Sequence, residues 1–351
     1  MITKLSDWCS LAVIAAAGVG LSTVAFGASP GEEITLNATT GDYTITYCDP
    51  DQPPPAACSL EQATFTPATK IDPRLKSFFA IRDASFTIAY RYFVMNNLTS
   101  RQSLIQFVLD PVSDVVSPVR LPKTLGPTDE QTLVAEVSAL PTVLGIPAGW
   151  DATVIASRIR AGLRIGWGFK NVPDNNAGLR KGTVQGGFGF TSKDLPGIVA
   201  GQLSGNANLT SFDDDGPTGD IGGQFNQLST HDFVSRFTAT PTIPVPVPFD
   251  RAEMVRRIDR EVNNWVGMQL LDSVLFQQVD GFLQSAINAA NLNDQVSFMA
   301  ALGKVRNLIR NIYPTVDESE TDWTDQSTSP LISRLAARVL LFDIFYATTH
   351  P

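Results

Sequence analysis

The stretch from Ser85 to Asp110 constrains the fold more than any other. Phe86, Ile88, Tyr90, Tyr92 and Val94 recur at every second position, and Ile105, Phe107 and Leu109 resume the alternation. In an extended chain that period places the large side chains on one face. Asn96-Asn97 and Thr99-Ser100, between the two runs, carry turn chemistry. The pattern predicts a β-hairpin with one apolar face, and such a face needs a second sheet to cover it. A β-sandwich follows.

The chain of 351 residues is long enough for two domains. Its 43% hydrophobic content fits a globular protein, and a net charge of −9 argues against nucleic-acid binding. With only two histidines, His231 and His350, histidine-rich metal sites and most histidine-dependent mechanisms are disfavoured. Residues 1–27 read as a signal peptide: Lys4 precedes an apolar run from Leu11 to Phe26, and Ala25-Phe26-Gly27 fits a cleavage site. An uncleaved anchor is the alternative, since the run approaches the ~20 residues a helix needs to span a bilayer. Export agrees with the cysteines. Cys48 and Cys58 flank a proline-rich loop and read as a disulfide, worth ~2.7 kcal/mol by loop closure.

Ile34–Leu36 and Tyr43–Tyr47 alternate and are β-branched enough to be strands. Residues 49–75 carry six prolines and read as a surface loop. Thr132–Val137 fits a strand or a short helix. Leu163, Ile165, Trp167 and Phe169 share one strand face, with Gly162, Gly166 and Gly168 on the other. Further strands are expected around Val184–Phe190 and Leu195–Gly201.

The order is a tyrosine-rich strand, Asn-Asn-x-Thr-Ser, Ile-x-Phe-x-Leu-Asp, Gly149-Trp150, Ile165-Gly166-Trp167 and Gly187-Phe188-Gly189-Phe190. It resembles immunoglobulin-like accessory domains of secreted bacterial proteins over about residues 33–240. The resemblance implies a β-sandwich and brings no catalytic residues.

Residues 241–248, Pro-Thr-Ile-Pro-Val-Pro-Val-Pro, read as a polyproline linker, a spacer of about 25 Å. Beyond it the period becomes helical. Asp250 with Glu253 forms a capping box, and Met254, Val255, Ile258, Val262 and Trp265 make an apolar stripe continued by Leu270, Leu271, Val274 and Leu275. Asp280-Gly281 is the expected break or kink. Asn293-Asp294 caps a helix that stops at Pro314, and a last helix starts at Ser329-Pro330. The runs Leu283-x-x-Ala286, Ala300-Ala301-Leu302-x-x-Val305-x-x-Leu308 and Ile332-Ser333-x-x-Ala336-x-x-Val339-Leu340-Leu341 are similar to the FIMAH-like helical module of secreted bacterial proteases and polysaccharide lyases, over about 255–347. The expected fold is therefore α+β in two domains: an immunoglobulin-like antiparallel β-sandwich (28–240) and a small antiparallel helical bundle (249–351).

No catalytic constellation stands out. The segment Ser211–Asp220 is rich in aspartate and glycine, and Asp213, Asp215 and Asp220 are candidate calcium ligands. Its spacing is not that of an EF-hand, and a solvated acidic turn is the plainer reading. Trp150, after Gly149, is a candidate exposed platform for a sugar, whereas the alternation around Trp167 says core. Ser204 and His231-Asp232 do not make a triad, because the nucleophile-elbow spacing is absent and Asp232 adjoins the histidine it would orient. Arg256, Arg257 and Arg260 read as the solvated face of a helix. These features point to an exported, non-catalytic protein with a binding, adhesion or structural-assembly role and a protein or glycan partner. No cofactor other than calcium is suggested. The alternatives are a secreted hydrolase using Asp213–Asp220 and a surface-assembly subunit with a free strand edge at 162–169.

Overall fold

The run from Ser85 to Asp110 folds as two strands, but they do not pair with each other. The computed structural model describes residues 31–48, 59–113, 150–157, 162–169, 178–206, 219–229, 233–314 and 330–350, with short pieces at 123–124, 208–209 and 217. Among these, antiparallel strands form three sheets accompanied by five helices, an α+β architecture. One sheet has the order β4 (Pro73–Ile81), β5 (Ile88–Asn96), β10 (Thr183–Ser192), β7 (Lys123–Thr124). A second runs β13 (Val234–Ile243), β11 (Leu195–Gly205), β6 (Leu104–Val112), β9 (Leu163–Phe169), β8 (Trp150–Ala156). β5 and β6 thus lie in different sheets, and the expected hairpin is a crossing between them.

The reason is local. Residues 97–103 are too many for a tight two-residue turn, and their polar groups are committed elsewhere. Arg101 N–H donates to Lys70 O, Asn97 N–H to Asp72 O, and Asp72 N–H to Ser100 Oγ. Hydrogen bonds from Thr99 and Asn97 hold the Asp72 carboxyl below its usual range. Asn96, fully buried, donates to Gln102 O and Leu179 O. Pinned this way, the two apolar faces meet across the sheets. Tyr92 and Phe188 of one sheet contact Phe107 and Trp167 of the other, with Phe107 stacked on Trp167 at 5.1 Å.

Residues 49–75 are not all loop. Leu60–Thr66 forms β3, which pairs with β2 (Tyr43–Cys48), and Pro73 opens β4. With β1 (Glu33–Leu36) and β12 (Asn208–Leu209) these complete the third sheet. Helix α1 (Gly219–Ser229) covers it, placing Ile221 and Phe225 on Ile45, Tyr47 and Phe65. The prolines at 50 and 53–55 fall outside the described residues.

The expected linker begins inside the sheet: Pro241–Ile243 completes β13. Proline is tolerated there because β13 is an edge strand. The remainder is held against the fold, with Val245 N–H on Asp194 Oδ1 and Pro244 O accepting from Arg257. Helices α2 (Arg251–Gly267), α3 (Ser273–Asn291), α4 (Gln295–Ile312) and α5 (Arg334–Thr349) then pack into the same apolar cluster as the two larger sheets. Phe342 lies edge-on to Phe79, and Arg338 donates to Ser77 O while its guanidinium covers the Phe79 ring. Ala239 N–H of β13 also reaches Ser77. Helix α5 therefore caps the place where edge strands β4 and β13 converge, which shields both edges from unwanted pairing.

The capping aspartates act where the sequence places them, and one more appears. Asp250 accepts from Glu253 N–H and Asp294 from Ser297 N–H. The break in the first stripe falls at 268–272, where Asp272 caps α3, and not at Asp280-Gly281, which α3 runs straight through. A side-chain acceptor for the N–H groups of Val274 and Leu275 outweighs the modest cost of one mid-helix glycine. Likewise the last helix starts later than Ser329-Pro330, at Arg334, with Ser333 as its cap.

Between α2 and α3, Asp259 is half-buried beside Asp280, with Gln284 donating to both carboxylates. Burial, then the charge of Asp280, pushes the Asp259 carboxyl up to about 6. A folded pKa above the unfolded one means that stability is full below the unfolded value and falls as pH rises through about 6. Asp259→Asn should remove that fall, raising stability at pH 7.5 relative to pH 4 by ~1 kcal/mol after solvent screening. Urea unfolding at the two pH values measures it.

Candidate functional site

Trp150 is not an exposed platform. It begins β8 instead of ending a loop, and only 5% of it is accessible. Its ring sits edge-on to Phe169 and Phe188. Placement on a strand turned the indole inward, since β8 pairs with β9 and shares its apolar face. Trp167 is fully buried, as its alternation predicts. Asp220 stands exposed in the first turn of α1, while Asp213 and Asp215 lie outside the described residues. Among the described residues no cluster of three or more metal-ligating side chains occurs. Cys48 ends β2 as a disulfide-bonded residue, and Cys58 lies outside the described residues. Ser204 is buried with its hydroxyl on Gln106 Oε1, and His231 also lies outside them.

The glycine-rich strand at 162–169 is not an edge. β9 lies between β6 and β8, and among the described residues the outer strand of this sheet is β8. Along that edge Val154 and Ile155 are 47% and 48% exposed, and no described residue pairs with its outer side. The signal in sequence was the run Ala152-Thr153-Val154-Ile155-Ala156, which is β-prone and uncharged.

A second feature was harder to read. Where β13 meets α2, a cleft of about 370 Å³ is lined by Thr242, Ile243, Pro244, Glu253, Arg257, Arg260, Glu261 and Asn264. On a helix the spacings 253, 257, 261 and 253, 257, 260, 264 keep these side chains on one face. Glu253 gathers three guanidiniums, from Arg256 at 3.2 Å, Arg257 at 2.9 Å and Arg260 at 3.3 Å. Hydrogen bonds from Arg257 and Arg256 hold its carboxyl below the usual range. Arg256 and Arg260 do face solvent, as expected, while Arg257 and Arg260 also form a rim to the cleft held by Glu253.

Glu261 lies deeper, 9% exposed. Its Oε1 accepts from Ile198 N–H at 3.1 Å and more distantly from Trp265 Nε1, and its Oε2 has only a 3.4 Å contact with Asn264. No described cation pairs with it. Gly197 is what allows this approach, because a Cβ there would collide with Thr242 Oγ1 and the Glu261 carboxylate. Thr242 Oγ1 is itself buried without a hydrogen-bond partner among the described residues. Behind Glu261, Asp343 of α5 is fully buried and neither carboxyl oxygen has such a partner. Burial, reinforced by the charge of Glu261, pushes Asp343 well above the ordinary aspartate range. The one sequence clue was an acid inside the run Leu340-Leu341-Phe342-Asp343-Ile344-Phe345-Tyr346.

No protein-family model matches the chain, and comparison with curated proteins and with solved structures returns no match. Among the described residues no helix is long and apolar enough to cross a membrane.

Proposed function

We propose that this is an exported, non-catalytic protein of the extracytoplasmic space with a structural-assembly role, in which copies join through strand β8. The observation that carries this reading is strand β8, which among the described residues pairs only with β9 and on which Val154 and Ile155 are exposed. A β-prone edge carrying exposed aliphatic side chains is a template for another strand, and two β8 strands meeting about a two-fold axis give a self-complementary contact. The contrast with the other end of the same sheet supports it, since β13 is covered by β4 and α5. The amino-terminal apolar run, the cysteine usage and the resemblance to an immunoglobulin-like sandwich and a FIMAH-like helical module belong to the same reading. The meeting of two antiparallel sheets through an aromatic core is compatible with the sandwich.

Light scattering over a rising concentration series tests it. The mass should climb from monomer to dimer or beyond, and Ile155→Lys should return it to monomer without changing the unfolding midpoint. A mass that stays monomeric at the highest concentration reached, or assembly that survives Ile155→Lys, removes this reading.

A further inference from the structure

The cleft between β13 and α2 combines charges that a single small molecule would answer. Its floor holds Glu261, a nearly buried carboxylate with no described cation against it and with Asp343 behind. Charges taken out of water are normally paired, so a carboxylate that has only hydrogen-bond donors around it at the bottom of an open cleft favours a cation beside it. One oxygen there has acceptor capacity to spare: Glu261 Oε2, whose one contact is 3.4 Å from Asn264. The mouth carries the opposite sign. Arg257 is fixed by Glu253 and Pro244 O, and Arg260 is 69% exposed with a single 3.3 Å bond to Glu253. Most of the Arg260 donors therefore face solvent at the rim.

We propose that this cleft binds a small zwitterion of the α-amino acid type, its ammonium group on Glu261 Oε2 and its carboxylate on the guanidiniums of Arg260 and Arg257. A volume of about 370 Å³ accommodates such a molecule with its side chain. A bare divalent ion fits less well, because the arginine rim repels it and Glu253, the other acid lining the cleft, is already taken by three guanidiniums. A simple amine would leave the rim unanswered. The site shares no residue with the β8 edge, so each proposal stands or falls separately.

Thermal unfolding of the full chain with each common L-α-amino acid at about 10 mM tests this, with n-propylamine, propionate and calcium chloride as separate probes. At least one amino acid should raise the midpoint by about 2 °C or more, and the two half-ligands should not. Calorimetric titration of that amino acid should then show about tenfold or greater weakening in Glu261→Gln and a similar loss in Arg260→Ala. Failure of every amino acid overturns the proposal. So does an equal shift with propylamine alone, which would mean an amine site. A shift with calcium alone would mean a metal site and also overturns it. Should Glu261→Gln fail to fold, Arg260→Ala at its exposed position decides, and unchanged affinity there rejects the zwitterion.

Discussion

Trp167→Ala should lower the unfolding free energy by ~3–5 kcal/mol, a large fraction of the 5–15 kcal/mol typical of a folded domain. The indole is fully buried at the centre of the contact between the two larger sheets. It stacks on Phe107 at 5.1 Å with only 11° between the rings, and meets Phe188 and Tyr92 at 5.5 and 6.1 Å. Those partners come from β6, β10 and β5, so one deletion leaves a void bordered by both sheets. The backbone cannot close over it, because β9 is paired on both sides. Trp167→Phe should cost less, as a smaller ring keeps part of the stack. Urea unfolding measures both, and a loss below ~1 kcal/mol for the alanine variant would mean the two sheets do not depend on this contact.

Asp343→Asn should change the pH dependence of stability. In the native protein the carboxyl is fully buried, its oxygens have no described hydrogen-bond partner, and burial and then Glu261 raise its pKa well above the usual value. The sign follows directly. The folded state holds the proton more tightly than the unfolded chain, so the stabilisation is complete below the unfolded pKa near 3.8 and is lost as pH rises towards the folded value. While only the unfolded chain has lost its proton, that loss approaches ~1.4 kcal/mol per pH unit. Asparagine has no proton to lose, so the variant should gain on the native protein as pH rises above the unfolded value near 3.8, measured by denaturant midpoints at successive pH values. Two phenols lie nearby: Tyr90, which feels the Asp343 charge and whose hydroxyl donates to Asp194 O, and Tyr346, one turn further along α5. Burial raises both phenols, so neither titrates in that range. A constant difference between variant and native protein across the range would place Asp343 in contact with water or a cation.

Much of the fold was written in short-range patterns. Alternation at Ile88–Val94, Ile105–Leu109 and Leu163–Phe169 marks strands because a pleated chain points every second side chain the same way. Asp250 and Asp294 mark helix starts because a carboxylate one turn ahead satisfies an otherwise orphan N–H. Burial of Trp167 follows from its neighbours in sequence. What such patterns cannot state is which strand pairs with which. The seven residues after Asn96 look like a turn, and only the contacts of Asp72, Lys70 and Leu179 make them a crossing between sheets. Trp150 was misread for the same reason, since its burial depends on β9 and Phe188 lying beside it.

The candidate sites belonged almost wholly to the second kind of information. Glu261, Thr242 and Gly197 are 19 and more residues apart in the chain and were unremarkable in it, and their meeting depends on α2 lying over the end of β13. By itself the sequence determined periodicity, caps and the acidic balance, because these arise within a few residues of each other. The tertiary structure alone decided that β9 is an inner strand, with β8 outside it among the described residues. It alone placed a carboxylate without a cation at the floor of an arginine-rimmed cleft, because pairing and burial are set by residues distant along the chain.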